Sequence, residues 1–521
     1  MSTTEKLKSR FPDLNFVKPI EVKNHPRYKP YNVEFKPEHV VLPKGHVKED
    51  GRRKMLVDSV LERDTKIPLR DGLHFSEGTY FFWGEQEAED IHDTIDFLSK
   101  QPWCNGSICM GGNSYLAKAQ VNYASKQSHP ALKALAPWEG FTDIYRQLFR
   151  RGGFAMHNIF AAGYQWAVAG KHEVEDIAKM IKTRPFFDDY WADKYDEVSK
   201  IDVPLYVLAS FNNPFHVQGS FDTFRHARST KKWMRVHSSF EWYEMYEPKS
   251  NNDLQRFFDR YCKGIMNGWE SDTPPVRLSI YGVGSVPNVV ERPETEFPLA
   301  RQRLETFYLD AATKTLHSSR RDSESSISHE SHGFDAPSSD FIVKFSEYTE
   351  VAGYAKVRLW MSCKEKDDMD VVVQLRKIDN KGNLLAGLNF PAPVPESEAP
   401  EAETAKTYGP QGFLRASAAA SRDKARSSPD GQEVFYRHDR EDKIAPGTVV
   451  PLDITLWPMG MVFAAGEGIM LRIAGHFLSA PVVEAMKPKA TDDENIGQHH
   501  IHTGGKYDSS LILPVVGISR A

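Results

Sequence analysis

A serine that follows a pair of glycines is the residue in this chain best suited to do chemistry. Residues 108–110 are apolar, Gly111 and Gly112 follow, and Ser114 precedes a helical pattern that begins at Tyr115. This order predicts a strand, a sharp turn and a helix, the arrangement with which hydrolases expose a nucleophilic serine oxygen. The match to the G-x-S-x-G pattern is only partial, because leucine occupies the second position after Ser114. A serine that merely caps a helix would give a similar pattern.

Size and charge limit the classes of partner. A chain of 521 residues predicts two or three domains. Its 66 basic residues against 71 acidic ones give a net charge of −5 and no electrostatic reason to bind nucleic acid or an anionic membrane. No apolar run approaches the roughly 18 residues of a membrane span, and no apolar segment of a signal peptide follows Met1. We therefore expect a small-molecule ester or peptide substrate as the partner, with a homo-oligomer left open.

The cysteines point to a compartment. Cys104, Cys109, Cys262 and Cys363 are the only four, too sparse for a disulfide framework or a zinc site. Such cysteines suit a reducing environment, in which a free thiol behaves as a small core residue. We therefore expect a cytoplasmic protein that needs no cofactor and no metal.

The elements around the serine alternate between strands and helices. Residues 84–98 repeat apolar positions at spacings of three and four, which predicts an amphipathic helix. Further helices are predicted at 219–227 and 253–263. Buried strands are predicted at residues 55–61, 131–137, 203–211 and 233–237. Alternation of this kind is typical of a parallel sheet with crossover helices.

Composition divides the chain into three parts. Residues 1–54 are rich in Pro, Lys and Glu and predict an extended arm. Residues 55–275 form the predicted α/β domain. Within it, residues 141–200 are aromatic and helical without a strand run, which suits either a cap over a pocket or a plain packing layer. Residues 276–521 form the third part, a β-sandwich.

Short β runs separated by turns characterise the third part. They occur at residues 277–281, 371–375, 452–457 and 470–474. This pattern predicts an all-β sandwich. Residues 317–332 are rich in Ser and charge, and residues 391–407 are rich in Pro, Glu and Ala. Both are predicted to be solvated, disordered loops.

Two polar clusters in the third part resemble metal sites only superficially. His500 and His502 share a strand face, but His499 does not, and no further ligand is evident. Residues 367–370 include three aspartates but lack the spaced ligands and the glycine of a calcium loop. We expect structural roles for both clusters.

Several short motifs occur in an order that carries a family resemblance. They include Ser76-Glu77-Gly78, Gln101-Pro102-Trp103, Gly112-Asn113-Ser114-Tyr115, Ala136-Pro137-Trp138-Glu139-Gly140, Phe257-Phe258-Asp259-Arg260-Tyr261 and His502-Thr503-Gly504-Gly505. From about Met55 to Val516 the chain resembles the X-Pro dipeptidyl-peptidase and cocaine-esterase-like serine hydrolases. The resemblance implies an α/β-hydrolase domain with a helical cap, a C-terminal galactose-binding-like jelly roll, and Ser114 as the nucleophile. Fold analogy alone would add carbohydrate binding by the jelly roll.

One departure from that family concerns the oxyanion hole. In the family, several dozen residues separate an Arg-Asp-Gly turn from the Ser-Glu-Gly segment, whereas here Gly72 runs almost directly into Ser76. The missing residues form early strands and a loop whose tyrosine hydroxyl helps to bind the oxyanion. We therefore expect an α/β-hydrolase domain incomplete at its N-terminal strands. The backbone N–H of Tyr115 remains as an oxyanion donor, and losing the other donor costs on the order of a hundredfold in rate.

A second departure concerns the residues that assist the serine. The family's acid usually follows the strand at 203–211, where this chain has two asparagines and then His216. The family's histidine usually follows the next strand, where this chain has His237 and, nearest the aligned position, Glu241. The usual order of acid and histidine is therefore not preserved.

Two assignments of the triad stay open. In one, His237 is the base and is oriented by Glu241 or by an acid from residues 212–222. In the other, His216 is the base and Glu241 is the acid, which is acceptable because triads depend on geometry and not on chain order. Each histidine also has a structural interpretation: His216 as a helix cap, and His237 as a strand-end residue bonded to backbone.

The resulting hypothesis is a serine hydrolase that cleaves an ester or an X-Pro peptide bond through an acyl-enzyme on Ser114. The alternative is a catalytically impaired or inactive homologue that acts as a binding protein. The missing early strands and the irregular triad partners favour this alternative.

Overall fold

The computed structural model describes residues 3–17, 79–155, 173–284, 286–333, 336–389, 396–399, 405–478 and 496–516. The predicted strand at 55–61 and the segment between Gly72 and Ser76 lie outside these residues, as does most of the predicted loop at 391–407.

The α-helices of the described chain all precede residue 273. They are α1 Thr3–Arg10, α2 Glu85–Ser99, α3 Tyr115–Lys126, α4 Ile177–Thr183, α5 Asp189–Asp193, α6 Val217–His226, α7 Glu241–Tyr246, α8 Pro248–Cys262 and α9 Trp269–Asp272. A π-helical turn spans Tyr145–Phe149, and 3₁₀ turns span Arg151–Gly153, Val198–Lys200, Glu396–Glu398 and Ala416–Ser421.

The strands of the first half are β1 Phe16–Val17, β2 Ile108–Asn113, β3 Leu132–Trp138, β4 Val174–Glu175, β5 Leu205–Ala209, β6 Lys232–Val236, β7 Val276–Ile280 and β8 Val289–Glu294. Six of them form one sheet in the order β2-β3-β5-β6-β7-β8. The first five run parallel, and β8 is antiparallel to β7. Among the described residues, β2 pairs on one side only, so the strand that leads to Ser114 is an edge strand.

Alternation along β5 explains how the sheet is covered. Leu205, Val207 and Ala209 enter one core, which also takes side chains from α2, α3 and α6. Tyr206 and Leu208 enter the core on the opposite face, which α8 and α9 cover. Successive side chains of a strand point to opposite faces, so an uninterrupted apolar strand requires helices on both sides. The predicted parallel sheet with crossover helices is therefore confirmed.

The strands of the second half are β9 Gln302–Asp310, β10 Thr315–His317, β11 Ser325–Glu330, β12 Ser339–Lys344, β13 Thr349–Gly353, β14 Lys356–Ser362, β15 Asp370–Ile378, β16 Gly387–Leu388, β17 Lys406–Thr407, β18 Gln411–Arg415, β19 Arg422–Asp423, β20 Phe435–Tyr436, β21 Val450–Thr455, β22 Met459–Phe463, β23 Gly468–Ala474, β24 Gln498–Thr503 and β25 Ser510–Val516. Thirteen of them form one sheet around a single core cluster. All of its pairings are antiparallel except that of β10 with β12. The expected β-rich C-terminal domain is confirmed.

Three local predictions were wrong. The N-terminal arm is not wholly extended, because α1 forms and buries Leu7 against an aromatic core. Residues 317–332 are not a loop throughout, because β11 pairs with β24 over six residues in register. The serine-rich composition of β11 does not indicate a strand, and β11 forms because β24 supplies its backbone hydrogen-bond partners. The aromatic stretch 141–200 also contains the two-residue strand β4, which pairs with β1.

The expectation of free cysteines was wrong for two of the four. Cys109 on β2 and Cys262 at the end of α8 form a disulfide, with their Cα atoms 6.3 Å apart. The two are 153 residues apart in the chain, so spacing could not reveal the pair. Cys104 and Cys363 are free. Across the described residues, the helices are all too short or too polar to cross a bilayer.

Candidate active site

The turn that carries Ser114 joins the end of β2 to the start of α3. Ser114 has φ 58° and ψ −112°, a strained conformation for a residue with a side chain. A Cβ at Gly112 would lie 2.5 Å from Leu116 Cβ, so only glycine fits there. The backbone N–H of Ser114 donates to the carbonyl oxygens of Trp138 (3.1 Å) and Glu139 (2.9 Å), which ties the turn to the end of β3. Ser114 is half-buried, so part of the residue is accessible to solvent.

His216 is the imidazole that meets this serine. Its Nε2 lies 3.1 Å from Ser114 Oγ, within hydrogen-bond distance. His216 occupies the N-cap position of α6 but makes no side-chain capping bond, so the interpretation as a helix cap was wrong. The Phe141 ring packs edge-on against the imidazole at 4.7 Å between centroids. The loop after β5 thus holds the imidazole beside the turn after β2, both at the carboxyl edge of the sheet.

Two buried carboxylates lie behind His216. Glu139 Oε2 is 3.5 Å and Glu241 Oε1 is 3.7 Å from His216 Nδ1. Asn213 lies between them: its Nδ2 is 2.8 Å from His216 Nδ1 and donates to Glu241 Oε2 at 2.5 Å. Glu139 follows β3 and Glu241 opens α7, so loops after three neighbouring strands converge on one imidazole.

The two carboxyl groups have opposite pKa shifts. Burial, together with the charge and the hydrogen bond of Glu139, raises the pKa of Glu241 to about 9. Burial also acts on Glu139, but hydrogen bonds and charge from His216 and His237 hold the pKa of that carboxyl below its ordinary value. Ionising two neighbouring carboxyl groups in one buried site costs much free energy, so a neutral form is favoured for one of them. Glu139, the group nearer the imidazoles, is the one whose pKa shift favours the charged form.

The structure does not bring His237 to Ser114. Its Nδ1 contacts the carbonyl oxygen of Ser239 at 2.9 Å, as the strand-end interpretation expected. Its Nε2 lies 3.0 Å from Glu139 Oε1 and 3.2 Å from the indole nitrogen of Trp138. Since both ring nitrogens are engaged away from the nucleophile, His237 is not in a position to act as the base.

Tyr115, whose backbone N–H the sequence predicts to be an oxyanion donor, lies directly after Ser114 in the structure. Tyr115 opens α3, so its backbone N–H is at the helix N-terminus directly after the serine. Its side chain is packed, as expected: the ring stacks on Trp83 at 5.1 Å, and the hydroxyl donates to Glu87 at 2.7 Å. In the family that the chain resembles, the second donor comes from residues that this chain lacks between Gly72 and Ser76, and that segment lies outside the described residues.

Glu139 and Asn213 are the site residues that sequence reasoning missed. Glu139 belongs to the motif that ends in Trp138-Glu139-Gly140, but nothing in its local pattern marks an acid for His216. A polar residue directly after a buried parallel strand was the available signal, because such positions gather at one edge of the sheet. The same signal applies to Asn213, which follows β5.

One ligand atom from each of Glu139, His216 and Glu241 lies within 4.8 Å of the others, a set that could hold a metal ion. His216 also faces the serine, so the same atoms suit proton transfer. Two of the aspartates at 367–370 bind neighbouring side chains of the protein. Asp368 accepts hydrogen bonds from Ser417 and Lys443, and Asp370 forms an ion pair with Arg415. His502 bonds to Ser362 at 2.9 Å.

Comparison with known families supports this architecture. Residues 71–176 match the X-Pro dipeptidyl-peptidase (S15) family, and residues 267–512 match the X-Pro dipeptidyl-peptidase C-terminal non-catalytic domain. Over 88 residues the chain is 36% identical to the cocaine esterase of Rhodococcus sp. (strain MB1 Bresler), which is 17% of this chain and 14% of that esterase. The chain spans 11 to 14% of the length of the curated relatives it matches.

Solved structures extend the similarity to most of the chain. An α-amino acid ester hydrolase shares the fold, with a TM-score of 0.63 and 16% identity over 85% of this chain and 84% of that chain. A CocE/NonD family hydrolase from Staphylococcus aureus has a TM-score of 0.77 and 31% identity, covering 85% of this chain and 78% of that one. On this similarity over nearly its whole length, the chain belongs to the CocE/NonD family of α/β hydrolases.

Proposed function

We propose that this protein is a serine esterase that cleaves a carboxylic ester through an acyl-enzyme on Ser114. The observation that carries the proposal is the 3.1 Å contact between Ser114 Oγ and His216 Nε2, with carboxylates behind the other ring nitrogen. A nucleophilic serine needs this sequence of groups: a base within hydrogen-bond reach and an acid that orients the base.

In the acylation step, Ser114 Oγ attacks the ester carbonyl carbon and its proton passes to His216 Nε2. The carbonyl oxygen becomes an oxyanion, and the backbone N–H of Tyr115 stabilises it. The carbon–oxygen bond to the leaving alcohol then breaks, and His216 returns the proton to that alcohol. The negative charge behind Nδ1 stabilises the imidazolium that exists between these two proton transfers.

In the deacylation step, water enters and His216 takes one of its protons while the oxygen attacks the acyl carbon. Collapse of the second oxyanion releases the carboxylic acid and returns the proton to Ser114 Oγ. Atoms balance over the cycle: one ester and one water give one alcohol and one acid.

Labelling and turnover together test this proposal. The full-length protein is treated with a fluorophosphonate probe and assayed with p-nitrophenyl acetate. We expect wild type to be labelled and to hydrolyse the ester, and Ser114→Ala to do neither. Ser199→Ala, at an exposed serine in the same half, is the matched control and should behave as wild type. A folded wild type that neither takes the label nor turns over the ester would overturn the proposal and favour the inactive homologue.

Release of X-Pro dipeptides is the second candidate, because both family matches are to X-Pro dipeptidyl-peptidase domains. The chemistry would be the same with an amine as the leaving group. Hydrolysis of Ala-Pro-p-nitroanilide with a kcat/KM at least equal to that for the ester would favour this candidate. We expect the ester to be preferred, because no group that binds a substrate's free amine is identified among the described site residues.

A further inference from the structure

Two carboxylates compete for the role of the acid that orients His216, and their surroundings differ. Glu139 has an imidazole on each side: His216 Nδ1 at 3.5 Å and His237 Nε2 at 3.0 Å. Glu241 has only His216, at 3.7 Å, and receives its closest hydrogen bond from the neutral amide of Asn213. An imidazole that takes up a proton can therefore stabilise an ionised Glu139 from two directions and an ionised Glu241 from one.

Proton placement at His237 follows from its partners. The carbonyl oxygen of Ser239 can only accept, so His237 Nδ1 carries a proton. His237 Nε2 faces Glu139 Oε1 at 3.0 Å, where two lone pairs would repel each other. The indole N–H of Trp138 also donates to His237 Nε2, at 3.2 Å, so these contacts by themselves allow the shared proton on either the imidazole or Glu139. With the proton on the imidazole, the contact is a buried ion pair that holds the Glu139 carboxylate ionised.

The backbone fixes Glu139 more firmly than a surface loop would. The Glu139 N–H donates to Leu208 O at 2.9 Å, and its carbonyl accepts from the Ser114 N–H at 2.9 Å. Next to it, α6 packs against Gly140 so closely that a Cβ at Gly219 would lie 2.5 Å from Gly140 O. These contacts hold the backbones of Ser114, Glu139 and the start of α6, where His216 lies, in fixed positions relative to one another.

From these contacts, and on the basis of the proposed esterase function, we infer that Glu139 is the ionised carboxylate that orients His216. His237 is the positioning residue that holds Glu139, and Glu241 is a neutral carboxylic acid that Asn213 links to the imidazole. In this assignment the acid, Glu139, follows β3, the strand next to the one that leads to Ser114. His237, one of the two bases that the sequence left open, positions this acid and does not act on the serine.

The pKa directions agree with this division of charge. Burial and the neighbouring Glu139 raise the pKa of Glu241 to about 9, so Glu241 stays protonated at neutral pH. Among the described residues, the titratable groups facing Glu139 are His216, His237 and Glu241, with Tyr281 beyond them donating to the His237 carbonyl oxygen at 3.3 Å.

Glutamine substitutions separate the two carboxylates because they keep the shape and remove the charge. We expect Glu139→Gln to lower kcat for p-nitrophenyl acetate by about 10³- to 10⁴-fold with KM changed by less than about threefold. Glu241→Gln should lower kcat by less than about tenfold, because a neutral group replaces a neutral group. Glu247→Gln, at an exposed glutamate just after α7, is the matched control.

His237→Gln tests the positioning role. We expect it to lower kcat by about 10- to 100-fold and to move the acidic limb of the kcat–pH profile, because Glu139 loses its charged neighbour. A purely structural role would lower the amount of folded protein without moving the profile. Glu139→Asp should recover part of the activity lost in Glu139→Gln.

Every outcome decides between the two acids. If folded Glu241→Gln loses 10²-fold or more, or if both glutamine variants lose equally, the assignment to Glu139 is overturned. If Glu139→Gln does not fold by circular dichroism, near-normal kcat in Glu241→Gln still supports the assignment. Failure of the proposed function looks different, because wild type itself would then show neither labelling nor turnover.

Discussion

Buried histidines occur in both halves of this molecule, and they differ in what surrounds them. In the α/β half, His216 and His237 each lie within 3.5 Å of the Glu139 carboxylate, and His216 also reaches a serine hydroxyl. In the β-rich half, His329 and His499 pack ring to ring at 5.8 Å. Burial, then the charges of neighbouring histidines, lowers the pKa of His329 to about 4 and that of His499 to about 3.

This contrast shows that burial of an imidazole is not by itself enough to form a catalytic site. Burial without a carboxylate keeps a histidine neutral and inert, whereas burial beside one lets it take up a proton during a reaction. His499 and His216 are both more than nine-tenths buried, so exposure alone could not have separated them. The groups that His499 and His216 contact do distinguish them. Each prediction below tests this contrast by changing residues in one half of the molecule.

The largest expected effect comes from removing His216, the proposed base. His216→Gln should lower kcat for p-nitrophenyl acetate by about 10⁴-fold, because no other imidazole of the described chain contacts Ser114. Steady-state kinetics measures the loss. His499→Gln is the matched control and should leave kcat within about twofold of wild type. Equal losses in both variants would contradict the contrast between the halves.

The disulfide should matter for the α/β half alone. Cys262→Ser removes a crosslink across 153 residues, for which we expect a loss of about 2 to 4 kcal/mol in the free energy of unfolding. Cys109 lies on β2 just before the turn that carries Ser114, so in Cys262→Ser the proposed esterase activity should disappear at a lower urea concentration than the one that unfolds the β-rich half. Cys104→Ser, at a free cysteine, should leave both midpoints unchanged; a shift of the same size there would argue against a role for the crosslink.

Acid should destabilise the β-rich half through its neutral histidines. The folded pKa values of about 4 (His329) and 3 (His499) lie below the unfolded value near 6.5. Below pH 6.5 the unfolded chain therefore binds more protons, and stability falls as pH falls. At pH 5 the loss is about 2 kcal/mol for each histidine.

Urea unfolding at pH 7 and pH 5 measures this effect. His499→Gln should lose about 2 kcal/mol less than wild type between the two pH values, since its neutral amide does not titrate. Ile501→Val, at a buried residue of the same strand that does not titrate, should lose as much stability between the two pH values as wild type does. A wild-type stability independent of pH in this window would contradict the prediction.

The smallest expected effect lies where the halves meet. Asn212 Nδ2 donates to Asn389 Oδ1 at 3.1 Å, and the Phe240 N–H donates to the Asn389 carbonyl at 2.7 Å. Asn389→Ala removes the side-chain bond, so we expect a loss of about 1 kcal/mol in stability and a few-fold lower kcat. Asn383→Ala, at an exposed asparagine whose contacts are local, should change neither. If Asn389→Ala is indistinguishable from this control, the Asn212–Asn389 side-chain contact does not couple the halves.

Local patterns predicted much of the fold because they reflect local physics. The spacing of Ala88 and Ile95 on α2, and the apolar runs of β3 and β5, mark buried faces that any neighbour could cover. The prediction was wrong for β11, since a strand rich in serine forms only because β24 pairs with it. It was also wrong for Cys109 and Cys262, since no spacing predicts a bond across 153 residues.

The amino-acid sequence is sufficient for the serine turn and for the order of the elements that hold it. The reason is that Gly112, Ser114 and the start of α3 interact with one another over a few residues. Which imidazole reaches the serine, and which carboxylates lie behind it, depends on how four parallel strands align at their carboxyl ends. Proton transfer requires contacts near 3 Å between residues about a hundred positions apart, and only the packed sheet brings them to that distance.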